Sequence, residues 1–138
     1  MTRAAAAALL YCAMVFAVGL ALGPIRVLWL EPHIGPVAAV TCEAPFLLAA
    51  MALASRWVPS VLHLHRDLAS LGLMGLGALA ILQGADLAVG LYLRGIRPAE
   101  QLANFATGAG LVYAGLLAAF AAMPILLNRG TPPARTRT

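Results

Sequence analysis

Residues 68–93 have the sequence LASLGLMGLGALAILQGADLAVGLYL, in which Asp86 is the only charged residue. The hydrocarbon core of a bilayer is about 30 Å thick, and a helix needs about 20 apolar residues to cross it. This run is long enough and apolar enough to do so. It therefore predicts a transmembrane helix, and it places the side chains of Gln83 and Asp86 inside the membrane.

Three further apolar runs complete the pattern, at about residues 4–30, 37–57 and 99–127. The first is continuous from 4 to 23 and reaches 30 if its helix passes through the proline at position 24. Prolines at the breaks suit the first turn of the helix that follows. Four spans with short connections predict an all-α fold: residues 1–130 form one polytopic membrane domain, an antiparallel bundle of four transmembrane helices. Residues 131–138 are predicted to be a short, basic, disordered tail.

The overall composition also favours a lipid environment. Hydrophobic residues make up 62% of the chain and charged residues 10%, whereas soluble domains have about 45–50% and about 25%. Water is a poor solvent for so much apolar surface, so the lipid bilayer is the expected partner. Because four helices enclose only a narrow core, a homo-oligomer or a larger membrane complex is expected as well.

The basic residues exclude several classes of protein. All nine are arginines, and they stand singly or in pairs at the ends of the apolar runs, so no basic face for a nucleic acid is expected. Without a lysine the chain cannot form a Schiff base with retinal or pyridoxal phosphate. His63 and His65 do not have the spacing of a structural zinc site, and neither a metal nor a cofactor is expected.

The arginines also predict an orientation, because loops on the cytoplasmic side carry an excess of positive charge. Four spans put both termini on the same side. That side has six arginines and the other side three: Arg3, Arg56, Arg66, Arg129, Arg135 and Arg137 against Arg26, Arg94 and Arg97. The prediction is a multi-pass protein of the inner (plasma) membrane with both termini in the cytoplasm.

Polar side chains are predicted to meet inside the outer half of the bundle. Glu43 lies seven positions into the second helix and Asp86 seven positions before the end of the third. Because these helices are antiparallel, both acids lie about 10 Å below the surface. The small and polar residues of each helix share one face, which should turn inward because small residues let membrane helices approach. In the fourth helix that face includes Asn104, Gly108 and Gly115. The predicted cluster is Arg26, Glu43, Gln83, Asp86 and Asn104.

These side chains have two possible roles. An unpaired charge in hydrocarbon costs at least a few kcal/mol, so Arg26 and Glu43 are expected to form an ion pair. Asp86 then needs Asn104, Gln83, Arg94 or a proton. Ionisable groups inside membranes are candidates for proton, cation or headgroup binding, but polar residues also hold membrane helices together.

A resemblance is carried by Gly23-Pro24-Ile25-Arg26, Glu31-Pro32-His33-Ile34-Gly35 and Glu43-Ala44-Pro45, and by a second patch from Asp86 through Leu93-Arg94-Gly95 to Ala99-Glu100. With these segments the chain resembles a family of small four-span bacterial inner-membrane proteins. The resemblance implies a bacterial origin and an uncleaved first helix, and it implies no activity.

Three functional classes remain open. The first is a small transporter or an ion or proton conduit that uses Glu43 and Asp86. The second is an accessory or assembly subunit of a larger membrane complex. The third is a membrane enzyme acting on lipid headgroups, which is less favoured because the sequence has no nucleophile, phosphate-binding or dinucleotide-binding motif.

Overall fold

The computed structural model describes residues 2–129, and within them every regular element is helical. The helices are α1 (Thr2–Ile25), α2 (Glu31–Ile34), α3 (Pro36–Val61), α4 (Leu68–Tyr92), α5 (Pro98–Asn104) and α6 (Gly108–Asn128). A π-helical turn, Arg26–Leu30, joins α1 to α2 without a break. Four stretches are long and apolar enough to cross a membrane: 2–34, 36–61, 68–92 and 108–128. The predicted all-α bundle of four apolar helices is therefore confirmed.

The fourth span departs from its prediction as one helix over 99–127, because it is interrupted between α5 and α6. The Thr107 hydroxyl accepts a hydrogen bond from the Gly110 amide at 3.0 Å and donates one to the Asn104 carbonyl at 2.6 Å. These local bonds cap α6 and close α5, so they replace the helical ladder at this point. A Cβ atom on Gly110 would overlap the Asn104 carbonyl oxygen, so the turn also requires glycine there. The predicted tail at 131–138 lies outside the described residues.

The four long helices pack in a ring. Both α1 and α6 pack against α3 and against α4, so α1 and α6 lie diagonally across the bundle. The bundle has an Asp67 end, where α1 begins and α3 turns into α4, and a Glu31 end, where α1 continues into α2 and α4 turns into α5. The half toward the Asp67 end is densely packed by buried side chains that include Tyr11, Val58, Leu71, Met74 and Phe120.

A hydrogen bond across the diagonal repairs the defect that Pro124 makes in α6. Proline has no amide proton, so the carbonyl four residues earlier, that of Phe120, loses its helical partner. The Tyr11 hydroxyl donates to this carbonyl at 2.9 Å, and its ring stacks on the Phe120 ring at a centroid distance of 4.6 Å. Both residues are fully buried. Tyr11 thus supplies the donor that hydrocarbon does not.

A second proline defect is repaired in the same way between α3 and α6. Pro59 removes the amide that would bond to the Ser55 carbonyl. The side-chain amide of Asn128 donates to that carbonyl at 2.9 Å, and it also donates to the Pro124 carbonyl at 2.8 Å. Asn128 and Ser55 are buried. The packed half is therefore held by polar bonds at two proline sites as well as by apolar contact.

The turn between α3 and α4 is fixed by Asp67 at the N-terminus of α4. A carboxylate oxygen of Asp67 accepts a hydrogen bond from the Ser70 amide at 3.2 Å, as an N-cap residue does. The hydrogen bonds from Ser70 lower the pKa of Asp67 below its ordinary value of 3.8. The charged form is thus the one that the folded state prefers.

We expect Tyr11→Phe to lower the free energy of unfolding by about 1–2 kcal/mol, because it leaves a buried carbonyl without a donor. In a Pro124→Ala background the restored amide of residue 124 serves that carbonyl, so the same substitution should cost only a few tenths of a kcal/mol. Unfolding in mixed micelles of mild detergent and SDS measures both values. Tyr92→Phe is the matched control, since Tyr92 is 83% exposed. An equal loss in the two backgrounds would contradict this account.

Asp67→Ala should destabilise the bundle at neutral pH and should do so less in acid. A group whose folded-state pKa is lowered contributes stability above its unfolded pKa, here 3.8, and loses the contribution as the pH falls through the folded value. Thermal unfolding in detergent from pH 7 to pH 3 measures the difference between wild type and variant. A difference that stays constant across this range would show that the charge of Asp67 is irrelevant to the cap.

Candidate functional site

The half of the bundle toward the Glu31 end is open, in contrast to the packed half. It contains a cavity of about 720 Å³ between the π-helical turn, α2, α3, α4, α5 and α6. Its lining includes seven charged or amide side chains: Arg26, Glu31, Gln83, Asp86, Arg94, Gln101 and Asn104. Four of the five residues predicted to cluster therefore face one cavity. The fifth, Glu43, is not part of the lining and contacts it through Arg26.

Arg26 joins two carboxylates at the edge of this cavity. Its Nη1 lies 3.1 Å from Glu43 Oε2, and its Nε lies 3.4 Å from Glu31 Oε1. The Glu43 side chain is only 7% exposed, whereas those of Arg26 and Glu31 are 25% and 31% exposed. The predicted ion pair between Arg26 and Glu43 is thus present. One guanidinium serves two acids, so this group of three has one carboxylate more than it has guanidinium groups.

Glu31 is a partner of Arg26 that α-helical spacing does not predict. In an α-helix, residues five apart lie roughly 140° apart around the axis and do not meet. The π-helical turn brings the two residues together, and the Glu31 amide bonds to the Arg26 carbonyl as its closing hydrogen bond. Single π turns in longer helices are often found at functional sites. The only sequence signal of this turn is the spacing of five between Arg26 and Glu31, with a proline near each of them.

Asp86 has a partner that the sequence analysis also missed. The hydroxyl of Tyr113 in α6 donates to Asp86 Oδ2 at 2.7 Å. No ion pair joins Asp86 to another residue in the range 2–129, so Arg94, one of the alternatives for its partner, does not pair with it. Tyr113 also lies within electrostatic range of Arg26 and Glu43. A tyrosine placed well inside a span is a signal in itself, because its hydroxyl needs a polar partner there.

The remaining amides differ in their surroundings. Gln83 is partly buried, and its Oε1 is shielded from solvent without a hydrogen-bond partner among the described residues. Asn104 lines the cavity but is exposed at the end of α5. Gln101 packs against Gly90, where a Cβ atom would overlap its amide. The Gln83 oxygen is thus an acceptor without a donor among residues 2–129, whereas Asn104 lies at the rim.

The predicted inward face of the fourth helix holds only in its first part, where Asn104 and Gly108 line the cavity. Farther along, Gly115 is exposed, and the buried face of α6 consists of Leu116, Phe120, Pro124 and Asn128. Lipid and protein interior are similarly apolar, so a row of small residues does not determine which side of a helix meets its neighbours. The large side chains fill the bundle interior instead.

The fold and the site together define a class: a small polytopic α-helical protein with four candidate membrane spans and a polar cavity in one half. No protein-family model matches the chain, and neither a curated protein nor a solved structure matches it. The resemblance to bacterial four-span proteins therefore gains no support, and the membrane and the orientation stay predictions. Within residues 2–129 no three histidine, cysteine, aspartate or glutamate side chains are grouped to hold a metal.

Loss of Arg26 should cost much more than loss of either acid. Arg26→Met leaves the buried Glu43 without its counter-ion, and we expect a loss of about 3 kcal/mol in the free energy of unfolding. Glu43→Gln keeps Arg26 paired with Glu31 and should cost about 1 kcal/mol. The more exposed Glu31→Gln, the matched control, should cost less than about 1 kcal/mol. Unfolding in mixed micelles checks the order.

The double variant Arg26→Met with Glu43→Gln extends the same comparison. Because it removes the stranded carboxylate together with its partner, it should recover most of the stability that Arg26→Met loses. If the two losses simply add, the pair is not coupled in the way that its geometry indicates.

Proposed function

We propose that the protein is a small membrane transporter that binds its solute in the cavity at the Glu31 end. The observation that carries the proposal is the cavity itself, about 720 Å³ of space lined by Arg26, Glu31, Asp86 and Arg94 within and beside the candidate spans. Sites for small ligands have about 300–1,000 Å³. A protein that needed these side chains only as contacts between helices would have no reason to keep such a volume open around them.

The backbone around the cavity supports the same proposal. Interrupted membrane helices form the solute sites of many transporters, because non-helical backbone is tolerated where it lines a polar cavity. Here the break between α5 and α6, at the start of the candidate span 108–128, contributes Asn104, Phe105 and Thr107 to the lining. The π-helical turn within the first span contributes Arg26. Both irregularities thus occur at the cavity.

The packed half supplies the other requirement of transport, a closed side. Tyr11 and Phe120 stack across the diagonal of the bundle, and Met74 and Val58 are buried in the same packed half. The cavity, here called the chamber, therefore lies in the open half toward the Glu31 end and is closed by packed side chains in the half toward the Asp67 end. Transport by alternating access needs a state of this form.

A second class, the accessory subunit, has one observation in its favour. On α4 the small residues Ala80, Gly84 and Ala88 are exposed at intervals of four, and nothing lies within 4 Å of a Cβ atom built on Gly84. Such rows are common where membrane helices meet. The enzyme class has no such support, because Asp86 lines the cavity and Glu43 does not, so the two acids do not share one substrate groove.

Water accessibility tests the chamber. In nanodiscs, with Cys12 and Cys42 replaced by alanine, a charged methanethiosulfonate should modify Gln83→Cys rapidly, since position 83 lines the cavity. Gly84→Cys is the matched control at the same depth, because Gly84 is exposed outside the cavity and should face lipid. Ala78→Cys, at a fully buried position of the packed half, should also stay unmodified.

Two results would refute the proposal that the cavity is a water-accessible chamber. An unreactive cysteine at position 83, in a protein that folds normally, would show that the cavity is dry or filled by a partner. Equal reaction at positions 83 and 84 would show that access does not depend on the cavity.

A further inference from the structure

The charges of the cavity favour a positively charged ligand. Arg26 is shared by two acids, Glu31 and Glu43, at 3.4 Å and 3.1 Å. Asp86 adds a further carboxylate and Arg94 a further guanidinium, and Arg94 is exposed at the end of α4. The lining itself has two carboxylates and two guanidinium groups. With Glu43, which lies behind Arg26, the group has one carboxylate in excess, and without the exposed Arg94 it has two. A cation that enters compensates this charge, whereas an anion increases it.

Two acceptors beside each other are unused. Tyr113 occupies Oδ2 of Asp86, which leaves the second carboxylate oxygen to accept from a ligand. Among residues 2–129, Gln83 Oε1 is buried without a hydrogen-bond partner; Arg26 Nε, which also has none, lies 3.4 Å from Glu31 Oε1. Gln83 and Asp86 stand three residues apart on α4, and such residues are neighbours on one face of a helix. Two adjacent acceptors without donors fit a group with several N–H bonds, such as an ammonium ion.

An aromatic pair lies beside these acceptors. Phe105 and Tyr113 both line the cavity, and their ring centroids lie 5.8 Å apart at an angle of 39°. Aromatic faces attract cations and also accept apolar groups. The Tyr113 hydroxyl bonds to Asp86, so the rings adjoin the carboxylate. A ligand that joins an ammonium group to an apolar or aromatic substituent would bind both the carboxylate and the rings.

We infer that the solute is an organic ammonium cation with N–H donors and an apolar substituent, bound by Asp86 and Gln83 beside Phe105 and Tyr113. This inference rests on the proposal that the cavity is the chamber of a transporter. It names the class of solute and makes Asp86 the main determinant of specificity. Arg26 with its two acids sets the charge of the chamber and holds its wall.

Binding of benzylammonium to the purified protein, measured by calorimetry in detergent, tests the inference. Benzylammonium should bind, and Asp86→Asn should weaken it by about tenfold or more, because a charge-assisted bond becomes a neutral one. Benzyl alcohol, of the same shape without charge, should bind weakly and equally to both proteins. Asp67→Asn, which removes an acid at the opposite end of the bundle, should leave benzylammonium binding unchanged.

Benzyltrimethylammonium and benzoate complete the ligand series. The first keeps the charge without N–H donors and should bind more weakly than benzylammonium, and benzoate should not bind. Benzoate binding better than benzylammonium, or benzylammonium binding unchanged in Asp86→Asn, would overturn the inference.

Uptake of radiolabelled benzylammonium by proteoliposomes separates this inference from the proposed function. Uptake that Asp86→Asn abolishes and Asp67→Asn leaves intact supports both. Binding that depends on Asp86, without uptake, supports the cation site and refutes the transporter.

Discussion

Hydrocarbon provides no hydrogen-bond donors, and the packed half of this bundle depends on how the protein supplies them itself. Pro59 and Pro124 each free a carbonyl within a candidate span. Tyr11 and Asn128 donate to these two carbonyls from other helices at 2.9 Å. Each bond has one position at which it can form, so together they fix the register of α6 against α1 and against α3. Apolar packing alone does not specify register so closely in a membrane, because lipid competes equally well for apolar contact.

The open half is organised by charge. Arg26 lies where the first span becomes π-helical, and this turn places Glu31 beside it while Glu43 approaches from α3. Electrostatics thus holds α1, α2 and α3 together at the end where few side chains are buried. Asp86 and Tyr113 link α4 to α6 in the same region. The cavity exists because polar links at its edge replace the apolar core that would otherwise fill it.

The sequence predicts the four spans and the pair of Arg26 with Glu43, because length, hydrophobicity and depth along straight helices suffice for both. It does not predict features in which side-chain hydrogen bonds compete with backbone helical bonds, or in which the helix type changes locally. The bonds of Thr107 interrupt an otherwise apolar run, and the π turn changes which residues share a face. Tyr113 was missed because depth was compared only for charged and amide side chains. The roles of Tyr11 and Asn128 as donors cannot be predicted without knowing which helices are neighbours and which lie diagonally across the bundle. That arrangement is a property of the packed bundle.

The two halves are connected by α6. Its first turns carry Tyr113, which bonds to Asp86 in the cavity, and its last turns carry Phe120, Pro124 and Asn128 in the packed half. Pro124 weakens the helix within the packed half, and side-chain hydrogen bonds substitute for the missing backbone bond. Such bonds exchange partners more readily than a continuous helical ladder, since one rotation of a side chain breaks them. A cation held by the other oxygen of Asp86 would therefore act, through the bond between Asp86 and Tyr113, on the helix whose far half closes the cavity. Under the transport proposal, this makes α6 the element through which an occupied cavity opens the packed half.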